Sequence, residues 1–186
     1  MEKIILGFVG ELASGKGTAC KYLKEKYHAS VYRFSTILRD ILDRLYIEQS
    51  RNNMQKLSLQ LRQLFGDDLL ASVIAKDVAK DSKTVIAVDG VRRFPDIKYL
   101  QKMPNFHLVH IFADEKSRYE RIIRRDENSD DVKKTFDQFH KDGMAEAEQS
   151  IREVAQKAKF KIDNNGSLDN LYKNIDEIVG KIKEQC

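Results

Sequence analysis

The chain has 186 residues, enough for one domain with a substantial core and no need of disulfides or a structural metal. Its 33 Lys and Arg against 29 Asp and Glu leave a net charge of +4, which suits anionic small molecules as well as nucleic acid and by itself selects neither. Two cysteines, Cys20 and Cys186, supply neither a disulfide framework nor zinc-ligand spacing, and four scattered histidines suggest no metal site. Met1-Glu2-Lys3 followed by about six apolar residues is too short and too acidic for a signal peptide and far short of a membrane span. A soluble, cytoplasmic protein without a membrane partner, monomeric or homodimeric, is expected.

The apolar run Ile4 to Val9 predicts a buried strand, and Gly10-Glu11-Leu12-Ala13-Ser14-Gly15-Lys16-Gly17-Thr18 follows it directly. This is a G-x-x-x-x-G-K loop between a strand and a helix start, the setting in which that spacing has a physical use. Glycines let the backbone approach a polyphosphate, so that successive N–H groups and the first helical turn face the anion, and Lys16 bridges the β- and γ-phosphates. Thr18 to Tyr27 then has helical spacing, and Ser30 to Phe34 reads as a short strand. Ser35 and Thr36 can cap the next helix, which projects Arg39 from its first turns.

A third helix is predicted from about Asn53 to Phe65 with Gly66 as its stop, and a fourth over Leu69 to Val78. Thr84 to Val88 is a nearly unbroken apolar strand ending at Asp89, with Gly90-Val91-Arg92-Arg93 behind it. Ligands collect at such carboxyl ends, where a carboxylate can hold the water shell of Mg²⁺ and arginines can grip an anion by paired N–H bonds. Phe106 to Phe112 is the fourth strand. Glu115 to Arg125 is a helix bearing Arg118, Arg121, Arg124 and Arg125, most of them on one face. Thr135 to Ala158 reads as one long helix weakened at Gly143, Phe160 to Ile162 as the last strand, and Leu168 to Ile182 as the closing helix. Unbroken apolar strands separated by helices predict an α/β fold whose parallel sheet is covered on both faces.

The Gly15-Lys16-Gly17-Thr18 order resembles adenylate kinases and other nucleoside monophosphate kinases, with Leu12 and Ala13 where that family usually has Pro and Gly. Asp89-Gly90-Val91-Arg92-Arg93 is similar to their Asp-Gly-Phe-Pro-Arg stretch, matching at Asp89, Gly90 and Arg93 and departing at Val91 and Arg92. Ser35-Thr36-Ile37-Leu38-Arg39 resembles their Ser-Thr-x-x-x-Leu-Arg, shortened by two residues. The stretch from Arg51 through Gln55, Ser58 and Arg62 to Asp68 looks more like the acceptor-side helix of deoxynucleoside monophosphate kinases and dephospho-coenzyme A kinases. Asp163-Asn164-Asn165-Gly166 resembles the turn that lines the adenine in the latter.

The resemblance implies a P-loop NTPase fold of the nucleotide kinase type, a three-layer α/β/α sandwich about a five-stranded parallel sheet. It would form one domain over 1–186, with an acceptor-binding helical segment at about 36–80 and a short lid at about 118–134. It further implies ATP as phosphoryl donor with Mg²⁺. Gly10, Ala13, Ser14, Gly15, Lys16, Gly17, Thr18 and Asn165 would then face ATP, and Thr18 and Asp89 the hydrated metal. Ser35, Thr36, Arg39, Gln55, Arg62, Asp89, Arg92 and Arg93 would face a nucleoside or deoxynucleoside monophosphate, while Lys16, Arg93, Arg121 and Arg125 would act in transfer and lid closure.

Three rivals remain. A dephospho-coenzyme A kinase asks for a carboxylate after the second strand, where this chain has Ser35-Thr36 and Asp40 is the nearest acid. A nucleotide-dependent switch protein would leave the clustered arginines without a use, and no guanine-reading Asn-Lys-x-Asp stretch is present. A nucleic-acid-binding module is unsupported by any basic run interleaved with aromatics.

Overall fold

A computed structural model describes residues 3–124, 135–144 and 146–185. It begins with β1 (Ile4–Val9), α1 (Lys16–Tyr27), β2 (Ser30–Arg33), α2 (Phe34–Arg44), α3 (Arg51–Phe65) and α4 (Leu69–Lys80). There follow β3 (Val85–Val91), a single turn α5 (Phe94–Ile97), β4 (Phe106–Phe112), α6 (Glu115–Ile122), α7 (Phe136–Gly143), α8 (Glu146–Ala155), β5 (Phe160–Asp163) and α9 (Leu168–Glu184). The five strands pair in the order β2-β3-β1-β4-β5, all parallel.

Alternation along the strands divides the core in two. Ile5 and Val9 of β1 with Ile86 and Val88 of β3 join Leu38, Leu70, Ile74, Ile151 and Val154 on one face. Ile4, Leu6 and Phe8 with Val85 and Ala87 join Ala19, Leu23, Leu171, Ile175 and Val179 on the other. Helices α2, α4 and α8 thus cover one side and α1 and α9 the other, the expected three-layer α/β/α arrangement. Among the described residues, no helix is long and apolar enough to cross a membrane.

Four details differ from the sequence reading. Helix α2 begins at Phe34, whose ring is buried, so Ser35 and Thr36 lie inside its first turn and cap nothing; Arg33 is the cap residue and its side chain makes no capping bond. Strand β3 runs past Asp89 to Val91, and its register against β1 skips Gly90: Phe8 faces Asp89 and Val9 faces Val91. This bulge separates Asp89 from the arginines behind it and re-aims the strand end. Helix α6 stops at Ile122. The long helix expected over 135–158 is two: α7 ends at Gly143, where helix propensity is poorest, so that α7 brings Phe139 to Arg118 while α8 lays Ile151 and Val154 on the sheet.

Candidate active site

The loop after β1 is built around two glycines that tolerate no side chain. A Cβ on Gly10 would stand 2.1 Å from the Ile111 carbonyl oxygen of β4, and one on Gly15, at φ 109°, would stand 2.2 Å from Asn164 Nδ2. Ala13, at φ 61°, takes a left-handed conformation that glycine adopts freely, at a cost of about 1–2 kcal/mol for a residue with a Cβ. Ser14 is fully buried, and its carbonyl accepts a 2.8 Å hydrogen bond from Asn164 Nδ2. Gly15 caps α1, whose first turn holds no acid to oppose an incoming anion. Lys16 Nζ donates to the carbonyls of Gly10 (2.6 Å) and Glu11 (2.9 Å), which folds the ammonium over the loop.

Beneath the loop, Arg118 is 5% exposed. It donates to the carbonyls of Ala113 (3.1 Å) and Leu12 (3.4 Å), pairs with Glu11 at 3.0 Å and lies over the Phe139 ring. Glu11 is also held by Arg152 of α8 at 2.8 Å. These contacts brace the loop, and Arg118 also lines the cleft above it. Behind it, Cys20 is buried in α1, and burial pushes its thiol well up, which leaves it an inert packing group.

A cleft of about 1940 Å³ opens over the carboxyl ends of the strands. Ala13, Ser14, Gly15, Lys16, Gly17 and Thr18 form its floor; Ser35, Arg39, Gln55 and Arg62 of α2 and α3 line one wall with Asp89, Arg92 and Arg93; Arg121 and Arg124 of α6 line the other. Gly10 lies below the floor, and Thr36 is exposed away from the lining. Asn165 also stands outside it, accepting the Asp114 N–H (2.8 Å) at the neighbouring turn. Arg125 and the rest of the expected lid, residues 125–134, lie outside the described residues.

Within the cleft, Arg39 donates to Gln49 (2.9 Å) and Arg121 to the carbonyl of Asn164 (2.6 Å). Among the described residues three buried side-chain polar atoms have no hydrogen-bond partner, and two of them are guanidinium nitrogens of this cleft, Arg62 Nε and Arg121 Nη1. They stand on opposite walls. A buried N–H left unpaired is costly.

Three cleft residues escaped the sequence reading. Arg33, at the end of β2, sits beside Asp89 in register and donates its Nε to Asp89 Oδ2 at 2.9 Å; a side chain on Gly17 would meet Arg33 Nη2 at 3.3 Å. Its place at a strand's carboxyl end was the available signal. Asp96, 3% exposed, accepts the N–H groups of Arg92 and Arg93, both at 3.0 Å. Burial pushes its carboxyl above the ordinary range, against the pull of those N–H groups and of the Arg92 and Arg93 charges. An acid one residue past Pro95, at a helix start, was its signal. Asn164, and not its neighbour Asn165, is the buried asparagine that touches the phosphate loop.

Among the described residues no group of three or more His, Cys, Asp or Glu could hold a metal ion by protein ligands alone. A hydrated Mg²⁺ shared with substrate phosphates needs only one or two protein groups, and Asp89 with the Thr18 hydroxyl, both in the cleft, is a donor set of that kind.

The AAA domain model matches residues 9–140. UPF0200 proteins are similar over almost the whole length. That of Staphylothermus marinus is 26% identical over 185 residues, 100% of this chain and 96% of the relative. That of Sulfurisphaera tokodaii is 26% identical over 179 residues, 96% of this chain and 97% of the relative. Among solved structures, TT1252 from Thermus thermophilus superposes with a TM-score of 0.64 at 14% identity, covering 97% of this chain and 98% of that one. Shikimate kinase from Bacteroides thetaiotaomicron superposes at 0.66 with 11% identity and the same coverage. At such identities the likeness is one of fold. With its phosphate loop and its parallel sheet in the order 2-3-1-4-5, the chain has a P-loop kinase-like fold and belongs to the AAA domain family matched over residues 9–140.

Proposed function

We propose that this protein transfers the γ-phosphoryl group of Mg·ATP to a nucleoside or deoxynucleoside monophosphate. The observation that carries this reading is a cleft floored by the phosphate loop and lined by arginines from both sides, Arg62 and Arg93 on one wall and Arg121 on the other. One cleft with cationic walls on both sides of a triphosphate site suits two anionic substrates meeting end to end.

Phosphoryl transfer asks the protein for in-line positioning and for positive charge where the equatorial and leaving oxygens become more negative. Lys16 leaves its loop carbonyls for the β- and γ-phosphates, while the N–H groups of residues 13–18 bind the phosphate oxygens. Arg62 and Arg93 hold the acceptor's phosphate, with Arg39, Gln55, Ser35 and Arg92 on the same wall. Arg121 closes from the other side, together with Arg125 of the lid. An acceptor oxygen, anionic near neutral pH, attacks the γ-phosphorus, the bond from that phosphorus to the bridging oxygen breaks, and ADP leaves, so no strong general base is needed. Asp89 and the Thr18 hydroxyl would hold a hydrated Mg²⁺, whose chemistry there would be to offset phosphate charge. In this reading the helical segment 36–80 carries the acceptor and 118–134 forms the lid of a single domain.

A second reading is a hydroxyl acceptor, of the small-molecule or dephospho-coenzyme A kind. Two observations favour it: Asp89 is a buried carboxylate that lines the cleft, and shikimate kinases are among the structural neighbours. ADP release from Mg·ATP, measured against a panel of ribo- and deoxynucleoside monophosphates, dephospho-coenzyme A and shikimate, separates the two. Turnover with one monophosphate is expected. Stimulation only by the hydroxyl acceptors replaces the first reading with the second, and ATP binding without any acceptor-stimulated release removes both.

A further inference from the structure

We propose that Asp96 is a positioning residue that gathers Arg62 and Arg93 into one phosphate clamp, an inference that rests on the reading of that wall as the acceptor side. Its two oxygens have separate tasks. Oδ2 accepts the backbone N–H groups of Arg92 and Arg93, which fixes the carboxylate at the start of α5. Oδ1 faces outward to two guanidinium groups from different elements, Arg62 Nη2 of α3 at 3.9 Å and Arg93 Nη2 at 3.8 Å. Two nitrogens that both approach one oxygen this closely stand less than about 8 Å apart, a gap that a single phosphate spans with charge-assisted bonds of about 2.8 Å on either side.

The distances bear on the role. At 3.8–3.9 Å neither guanidinium makes a full hydrogen bond to the carboxylate, and Arg62 Nε is buried without a partner. The charge of Asp96 therefore draws the two cations together, and so offsets their mutual repulsion, without taking a full hydrogen bond from either, although Arg93 Nη2 donates to the Asp67 carbonyl at 3.4 Å. Arg93 has a second acid in Asp67, at 3.7 Å and largely in solvent, so the side chain can settle there when the buried charge is removed. A buried carboxylate whose folded form favours the proton is a poor stabiliser at neutral pH. Its place beneath two arginines is explained by what those arginines bind.

Asp96→Asn keeps an oxygen for the two backbone N–H groups and removes only the charge. The experiment follows the Arg62 and Arg93 Nε–Hε resonances of the ¹⁵N-labelled full chain during titration with inorganic phosphate, alongside thermal unfolding and the acceptor panel. Expected in the wild type is a common midpoint for both arginines. In Asp96→Asn the two midpoints should separate or rise at least fivefold, with Tm equal to or above the wild type. The KM for the acceptor should rise at least tenfold while that for ATP stays within twofold. An unchanged common midpoint overturns the proposal, and so does a variant that loses Tm or fails to fold, because the carboxylate is then a structural cap. A wild type whose two arginines titrate together although no panel member is turned over sinks the nucleotide kinase reading and leaves the clamp standing. Arginines that ignore phosphate sink the clamp whatever the panel shows.

Discussion

The phosphate loop and α3 face the same cleft and are held in opposite ways. The loop is fastened from below and from both sides: Gly10 packs against the backbone of β4, Asn164 grips Ser14, and Arg118 ties Leu12, Ala113 and Glu11 together in a buried network. Helix α3 has no buried residue among those described. Met54, Leu57 and Leu61 rest partly covered on the core, while Leu59, Leu64 and Phe65 are 55%, 72% and 66% exposed. The difference teaches where rigidity is needed. A triphosphate bound by backbone N–H groups requires a fixed frame, whereas a wall that admitted and released an acceptor, as proposed for α3, would gain from a thin contact that opens at low cost.

The largest effect expected is at the fastened end. In the proposed reaction, Lys16→Met would remove the ammonium assigned to the transferring phosphates and should lower turnover by at least about 10²–10³-fold, the range seen when one preorganised charge-stabilising donor is lost. Thermal unfolding should stay near the wild type, since the bonds lost run to carbonyls of the loop itself. Unaltered turnover would remove the loop from the chemistry and, with it, the fixed half of the contrast.

Next comes the frame itself. Asn164→Ala leaves the Ser14 carbonyl without its buried donor and should cost about 1–3 kcal/mol, read as a fall in Tm of about 2–10 °C, with weaker ATP binding. The matching change on α3, Phe65→Ser at a largely exposed position, should move stability by no more than about 0.5 kcal/mol. Equal losses at the two sites would erase the contrast. Hydrogen exchange sharpens it further: backbone amides within α3 should exchange at least about tenfold faster than those within α1, and acceptor addition should slow α3 more than α1. Uniform protection across the two helices would show that the acceptor wall is as fixed as the floor.

The same contrast governs how much of the molecule is legible in its amino-acid sequence. The phosphate loop is legible because nine consecutive residues carry both its shape and its chemistry, and the strands because unbroken apolar runs announce burial on two faces. Asp89 and Arg93 are legible for the same local reason. Arg33 is not, because its partner Asp89 is 56 positions away and adjacent only through the β2–β3 register. The arginines of α6 show the limit most plainly. Spacing puts Arg118 and Arg121 on a common helical face, and both line the cleft, yet Arg118 is 5% exposed and tied to Leu12, Ala113 and Glu11, whereas Arg121 donates to the carbonyl of Asn164. Periodicity names a face and is silent about what lies against it. The break at Gly143 and the two-sided use of Asp96 belong with these, since each depends on elements that meet only in the folded chain.

A further small effect lies behind the floor, where α1 is buttressed against α9. Asp176 accepts from Tyr22 (2.8 and 2.9 Å), Tyr27 (2.7 Å) and Lys26 (2.7 Å), and Tyr22 stacks on Tyr172 at 4.1 Å. Burial pushes the Asp176 carboxyl up, but the bonds from Lys26, Tyr27 and Tyr22 outweigh it and hold the group below its ordinary range. A carboxylate whose folded pKa is depressed adds stability above its unfolded value, near pH 4, and that stability is lost as pH falls through the folded value. On the alkaline side, burial and the bond to Asp176 push Tyr27 up to about 12, so its share persists to about pH 10 and fades as pH rises toward 12. Asp176→Asn should therefore lower stability near pH 7 by less than about 1 kcal/mol, since the Lys26 side of the cluster is solvated and screened. The difference from the wild type should shrink as pH falls below about 4 and through the folded value. A difference that stays constant down to about pH 2 would mean that the tyrosines hold α1 to α9 by packing alone, and that the rigidity of the floor owes nothing to this charge.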